Sequence, residues 1–484
     1  MFGRLGVTEK SSAGWQESYV RGGLVSGIAK RFAVAVVIRE VAFDLLDRVQ
    51  SDDAYANLLL PTLVARAKID SRDAAFVQEL AFGTIRNWLL YEKIIEAASS
   101  RKIDDIEPAA QIVLVLGVHQ LLDMRVPTHA AINESVNLAK AKASKGSVGF
   151  VNAVLRKVSL KTRDQWLDSV LRGVSGNEAL SIKYSHPVWI VQAFKAALHS
   201  RGVEGGLEKL LESNNLAPKV SLVALPGFCS PEQLGAQPFE ANPSPIGVSI
   251  IGSPGNIEAV QQGFARVQDQ GSQLVTLALV AAKIEIDDTK WLDVCAGPGG
   301  KAALLAALSL VNGASLIANE ISQHRSQLVS NSLEPLGKFQ VTTSDGREIG
   351  NQAQKYSRIL LDAPCTGLGA LRRRPESRWR RTTDDLVDLV KLQRELLESA
   401  WNALEPGGVL AYVTCSPHLS ETTAQVSWAQ GKFKNQLELV NANIILNGIN
   451  ANLALDETLS TTQLWPHVHG TDAMFLALMR KSVN

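Results

Sequence analysis

The chain has 484 residues, 46% hydrophobic and 20% charged, with a formal net charge of +1. That length exceeds one ordinary core and suggests about three domains, with the composition of a soluble globular protein. No apolar run reaches the roughly 18–20 residues of a membrane helix, and the near-zero charge neither requires nor excludes a polyanionic partner. The first residues lack an apolar stretch followed by a small-residue cleavage site, so export is not expected. Residues 1–29, rich in Gly, Ser and mixed charge, read as a flexible extension. Cys229, Cys295, Cys365 and Cys415 form no CxxC pair. That spacing argues against a metal site or a disulfide framework and fits a cytoplasmic setting with reduced thiols.

Residues 30–160 carry helical periodicity throughout. VAVVIREVAFDLLDRV (34–49) spaces its apolar residues for one face. SRDAAFVQELAFGTIRNWLLYEKII (71–95) predicts one helix capped by Ser71, and the very apolar IEPAAQIVLVLGVHQLLDM (106–124) predicts a central buried helix. THAAINESVNLAKAK (128–142) and VGFVNAVLRKVSL (148–160) follow. The pattern alone gives an all-α bundle. The strings DAYANLLLP (53–61), ELAFGTIRN (79–87), MRVPTHAAINESVNLAK (124–140) and GFVNAVLRK (149–157) resemble the NusB-type RNA-binding domain. More specifically, they resemble the version fused to bacterial rRNA cytosine-5 methyltransferases of the RsmB (Sun) family. RNA binding by this domain is what the resemblance implies.

Residues 161–262 read as linker helices followed by a small α+β subdomain. DQWLDSVLRGV and HPVWIVQAFKAALHSRG look helical, with a break at His186-Pro187; KVSLVAL (219–225) alternates like a strand. In the resembled family this region contacts RNA. From 263 to 484 strand, turn and helix repeat, which predicts an α/β Rossmann-like domain with a parallel sheet covered by helices.

Within that domain DVCAGPGGK (293–301) follows an apolar strand and opens an Ala/Leu-rich helix. Gly297, Gly299 and Gly300 allow a tight turn, and the helix start offers unpaired N–H groups to an anion. The spacing is neither GxGxxG nor a P-loop. The next strands end at Glu320, Asp345 and Asp362. A glycine turn and three strand-end acids describe a nucleoside pocket with a carboxylate-binding loop, and S-adenosylmethionine needs both. CAGPGGK also resembles the cofactor loop of RNA cytosine-5 methyltransferases. The resemblance implies that Cys295, Ala296, Gly297, Pro298, Gly299, Gly300, Lys301, Glu320, Asp345 and Asp362 line the cofactor site.

Two thiols lie at turns that follow strands, Cys365 in LLDAPCTG and Cys415 in YVTCSP. Beyond the carboxyl ends of neighbouring parallel strands they would share one crevice. Methylating carbon 5 of cytosine needs a thiolate to add to carbon 6 and a base to remove the carbon 5 proton. The two strings resemble motifs IV and VI of the same enzymes. By that resemblance Cys415 is the nucleophile, Cys365 is the base in product release, and Asp362 is catalytic. After TCSP many relatives carry a Glu/Asn-rich run, whereas this chain has HLSETT (418–423), with Glu421 its one acid. That departure is expected to bear on helix capping and not on a thiol.

LRRRPESRWRR (371–381) packs six arginines into eleven residues. Arg372, Arg373, Arg374, Arg378, Trp379 and Arg380 are expected to hold RNA, by phosphate contact and base stacking. Residues 383–404 predict a helix capped by Thr382 or Thr383, and residues 465–481 predict C-terminal strands. His467 and His469 resemble a metal pair only superficially, since HGTDAMF resembles the family's closing motif. The function expected is S-adenosylmethionine-dependent methylation of carbon 5 of a cytosine in 16S ribosomal RNA by a monomer, without metal or membrane. A tRNA cytosine-5 methyltransferase and a non-catalytic NusB-like antitermination factor are the alternatives.

Overall fold

The computed structural model describes residues 27–52, 54–235 and 242–483. The extension expected over 1–29 lies outside them except for its last three residues, which already belong to the first helix, Gly27–Ser51. Helices Ala56–Ala67, Ser71–Arg86, Trp88–Ser99, Pro108–Leu122, Thr128–Lys142 and Lys145–Val158 complete the bundle. Pro108 opens the central helix, where its missing N–H costs nothing, and residues 112–120 are buried without a break. The single helix expected over 71–95 is two, joined at Asn87, whose side chain donates to Gly83 O. Asp70, not Ser71, is the cap, accepting from Asp73 N at 2.8 Å. Trp166, on helix Arg163–Val170, packs into the same core, so the bundle extends past residue 160.

Helices Val188–His199 and Leu207–Ser213 face the other way. Ile190, Phe194, Leu210 and Leu211 share a cluster with Leu368, Leu371 and Trp465 of the α/β domain. The small subdomain is an antiparallel sheet of β1 (Val220–Ala224), β2 (Gly247–Ile250) and β3 (Ala265–Val267), in the order β2-β1-β3. Its third strand lies beyond the boundary expected at 262.

The large sheet holds β4 (Lys290–Asp293), β5 (Ser315–Asn319), β6 (Gln340–Thr342), β7 (Tyr356–Asp362), β8 (Leu404–Thr414), β9 (Leu437–Val440), β10 (Thr462–Gln463) and β11 (Phe475–Lys481). The order is β10-β11-β8-β7-β4-β5-β6, with β9 also on β11. β8, β7, β4, β5 and β6 run parallel; β11 is antiparallel to β8, β9 and β10. The chain leaves β4 toward β5 on one side and returns to β7 on the other, which opens a crevice at the carboxyl end of β4. Apolar clusters fill both faces of the sheet, which is why Ile359, Leu360 and Leu361 of β7 are apolar in succession. Only Phe475–Lys481 of the expected 465–481 strands is extended. Pro466 instead starts a short helix that Gly470 ends in the left-handed region. Among the described residues no helix is long and apolar enough to cross a membrane.

Candidate active site

Register brings the site together. Leu292 on β4 pairs with Ile359 on β7, and Ile359 pairs with Leu410 on β8. Three neighbouring strands therefore end at one level, and the turns after them project into one crevice. The turn after β4 carries residues 295–299. Gly299 has φ +112, and a Cβ there would strike Ser332, so the turn is available only to glycine. Helix Gly300–Val311 starts without a side-chain cap, leaving its first N–H groups open to an anion.

From the first turn of that helix Lys301 reaches across to β7, where Asp362 Oδ2 accepts from its Nζ at 2.8 Å. Beneath them lies Asp293, which the sequence reading passed over. It is 1% exposed and neither carboxyl oxygen has a hydrogen-bond partner. Burial, then the Asp362 charge, pushes its carboxyl up to about 8. A buried acid of this kind is poised to receive a cation. The one signal for it in the sequence is an acid closing an apolar strand just before the glycine turn.

The other expected cofactor residues stand at successive strand ends. Glu320, past β5, is buried; its Oε2 accepts from Gly297 N at 3.1 Å and its Oε1 from Ser322 N at 3.0 Å, with Arg325 alongside. Asp345, past β6, pairs with Arg347 at 2.6 Å, which holds its carboxyl below the usual range. Cys295 packs beside the sheet, its thiol pushed well up by burial and by the Asp293 charge.

The two half-buried thiols meet, with Cys365 Sγ 3.4 Å from Cys415 Sγ. They are not equivalent. The hydrogen bond with Cys365, and then Lys301 and Arg374, ease Cys415 below an ordinary thiol, against burial and Asp362. The same hydrogen bond, burial and the Glu421 and Asp362 charges push Cys365 well up. Of the two, Cys415 is the thiol eased toward ionisation.

Glu421 corrects its expected role. It is fully buried, and its carboxylate accepts from the backbone and side chain of Thr366, the residue after Cys365.

The arginine segment is the larger correction. Arg378 is fully buried and donates to Arg86 O, Ser185 O, Asn214 O and Asn215 Oδ1. Arg380 donates to Val49 O and Ala54 O. Trp379 Nε1 donates to Ile85 O at 3.4 Å, and Glu376 accepts from Ala56 N. Arg372 donates to Gly470 O, and Arg373 pairs with the buried Asp472. Arg372, Arg378 and Arg380 thus spend guanidinium donors on groups inside the protein, and the half-exposed Arg373 spends its on the buried Asp472. Arg374 is exposed, 5.4 Å from the Tyr55 ring centroid. Asp472, also unforeseen, anchors a turn whose Ala473 N donates to Gly369 O, while Gly369 N donates to Cys415 O. His469 Nδ1 accepts from Trp465 N. Among the described residues no group of three or more His, Cys, Asp or Glu could hold a metal ion.

Known proteins can be set beside this geometry. Residues 280–480 match the family described as 16S rRNA methyltransferase RsmB/F, and residues 37–160 match the NusB family. The chain is 42% identical over 448 residues to "Putative methyltransferase Rv1407" of Mycobacterium tuberculosis, covering 92% of this chain and 96% of that protein. It is 30% identical over 404 residues to ribosomal RNA small subunit methyltransferase B of Citrobacter koseri, covering 80% and 89%. The crystal structure of PH0851 superposes with a TM-score of 0.73 at 20% identity, over 92% of this chain and 99% of that one, and so shares the fold.

Proposed function

We propose, starting from the fact that the chain belongs to the 16S rRNA methyltransferase RsmB/F family, that it methylates carbon 5 of a cytosine in 16S ribosomal RNA. The observation that carries this is the thiol pair: Cys415 eased toward thiolate, Cys365 3.4 Å from it, both beside the Lys301–Asp362 ion pair. Few reactions need two such thiols on one substrate, and carbon 5 methylation of cytosine is one.

The residues present fit S-adenosylmethionine. The uncapped helix start at Gly300 suits a carboxylate, and the unpartnered Asp293 suits the ammonium of the same amino-acid end. In this reading Glu320 and Asp345, past the ends of β5 and β6, serve the nucleoside. When bound, that cofactor supplies an electrophilic methyl group.

The protein's own residues do the rest. Cys415 thiolate forms a bond to carbon 6 and drives the electron pair toward carbon 5, which becomes nucleophilic. Lys301 and Asp362 supply fixed charge at the ring rather than mobile water. Once the sulfur charge is used, the main cause of the raised Cys365 thiol is gone. Cys365 then loses its proton to solvent and its thiolate takes the proton from carbon 5. The Cys415–carbon 6 bond breaks, and its electron pair returns to Cys415. A cytoplasmic location, with both thiols kept reduced, belongs to this proposal.

Bisulfite sequencing of RNA from cells with and without the gene tests it. One small-subunit cytosine should become convertible on deletion. A change confined to tRNA would move the substrate, and no change in any stable RNA would sink the activity. Methylation that survives Cys415→Ala would sink the mechanism.

A further inference from the structure

Cys365 sits in a turn that other residues grip from both flanks. On one side Gln393 Nε2 donates to Pro364 O at 2.8 Å; on the other, Glu421 Oε1 accepts from Thr366 N at 2.8 Å and Oε2 from Thr366 Oγ1 at 2.5 Å. Gln393 Nε2 also donates to Glu421 Oε1 at 3.1 Å, so both grips join in one unit. Tyr412 OH, from β8, donates to Glu421 O at 2.8 Å and lies 3.2 Å from Gln393 Oε1, which ties that unit to the strand leading to Cys415. Thr366 Oγ1 lies 3.0 Å from Ser416 Oγ, beside Cys415. Glu421, Gln393 and Tyr412 are fully buried. A buried carboxylate is costly to keep unless its oxygens are occupied. Here the occupants are the donors next to one catalytic thiol, on a carboxylate six residues after the other.

We propose that Glu421 is a positioning residue for the release step: through Thr366 it holds the turn that keeps Cys365 within reach of carbon 5 while Cys415 is bonded to carbon 6. This rests on the function proposed above. The chemistry Glu421 serves is proton transfer from carbon 5 to the Cys365 thiolate, followed by breakage of the Cys415–carbon 6 bond. Addition by Cys415 does not require the tether, because Cys415 is placed by β8. Loosening the turn should therefore slow release more than addition, and protein should remain joined to RNA.

The test compares wild type, Cys365→Ala, Glu421→Ala, Glu421→Gln and Thr366→Val, incubated with substrate RNA and S-adenosylmethionine and run on denaturing gels. Glu421→Ala should accumulate the covalent protein–RNA species, with turnover reduced by about tenfold or more and KM falling with it, as expected when breakdown of an accumulating adduct limits the rate. Glu421→Gln, which keeps an acceptor for Thr366 N, should release product nearly as wild type does. If Glu421→Ala does not fold, Thr366→Val decides: it keeps the backbone bond and loses the hydroxyl bonds, and should trap adduct to a smaller extent. Activity lost without adduct in a folded variant, or release unchanged in both Glu421→Ala and Thr366→Val, would overturn the proposal. Should wild type methylate and Cys365→Ala trap adduct while neither tether variant does, only the role of Glu421 falls. Should Cys365→Ala trap nothing and wild type methylate nothing, the function proposed above falls with it.

Discussion

The Cys365 turn and the arginine segment lie on either side of Gly369 in the chain, and both carry dense chemistry, yet the structure uses them differently. Around Cys365 and Cys415 the charged neighbours bear on the thiols: one thiol is eased, one is raised, and a lysine–aspartate pair stands alongside. Around Arg378 the groups are arranged for assembly, since its donors go to carbonyls of the helical bundle and the linker helices. Spacing told the two regions apart from ordinary surface but not from each other. A thiol at a strand end has few structural uses, whereas an arginine serves a phosphate or a buried carbonyl equally well.

Experiments that sharpen this contrast begin with Cys415→Ala. It should abolish methyl transfer, by orders of magnitude, and shift stability by less than about 1 kcal/mol, because a half-buried thiol packs weakly. Arg378→Ala should do the reverse. Four acceptors lose one buried cation, so thermal unfolding should report a loss of about 3 kcal/mol or more, with thiol chemistry intact in molecules that remain docked. Full stability with weakened RNA binding would show the segment to be an RNA site after all.

Asp293→Asn comes next. In the folded chain this acid titrates at about 8 rather than in the ordinary carboxylate range. A raised pKa contributes stability only at low pH, and that contribution is lost as pH rises toward 8. The amide removes this penalty, so at pH 7.5 the unliganded variant should be more stable, on the order of 2 kcal/mol, while calorimetry should find cofactor binding weakened. Increased stability with unchanged cofactor affinity would separate Asp293 from the ligand.

Cys365→Ala removes the hydrogen bond that eases Cys415. The pH midpoint for alkylation of Cys415 should rise; no rise would mean that Lys301 and Arg374 set the thiolate without Cys365. The smallest effect is expected at Arg374→Ala. Arg374 is exposed, so stability should hold while RNA affinity falls modestly and the salt dependence loses about one counterion.

The sequence by itself determined the helical bundle and the parallel sheet, because 3.6-residue periodicity and long apolar strands are local facts. It also determined which residues stand at the strand ends, since Gly299, Glu320, Asp362, Cys365 and Cys415 each follow an apolar run that must stop near them. Only tertiary structure decided the partners. That Asp293 would be left without a donor depends on how β4 is covered, and that Glu421 would grip Thr366 depends on two turns meeting 55 residues apart in the chain. The arginine spacing suggests RNA at Arg378 because the local sequence does not reveal which carbonyls a second domain brings to it. Register and docking fix such pairings, and both are set by packing between segments distant in sequence rather than by any pattern within one of them.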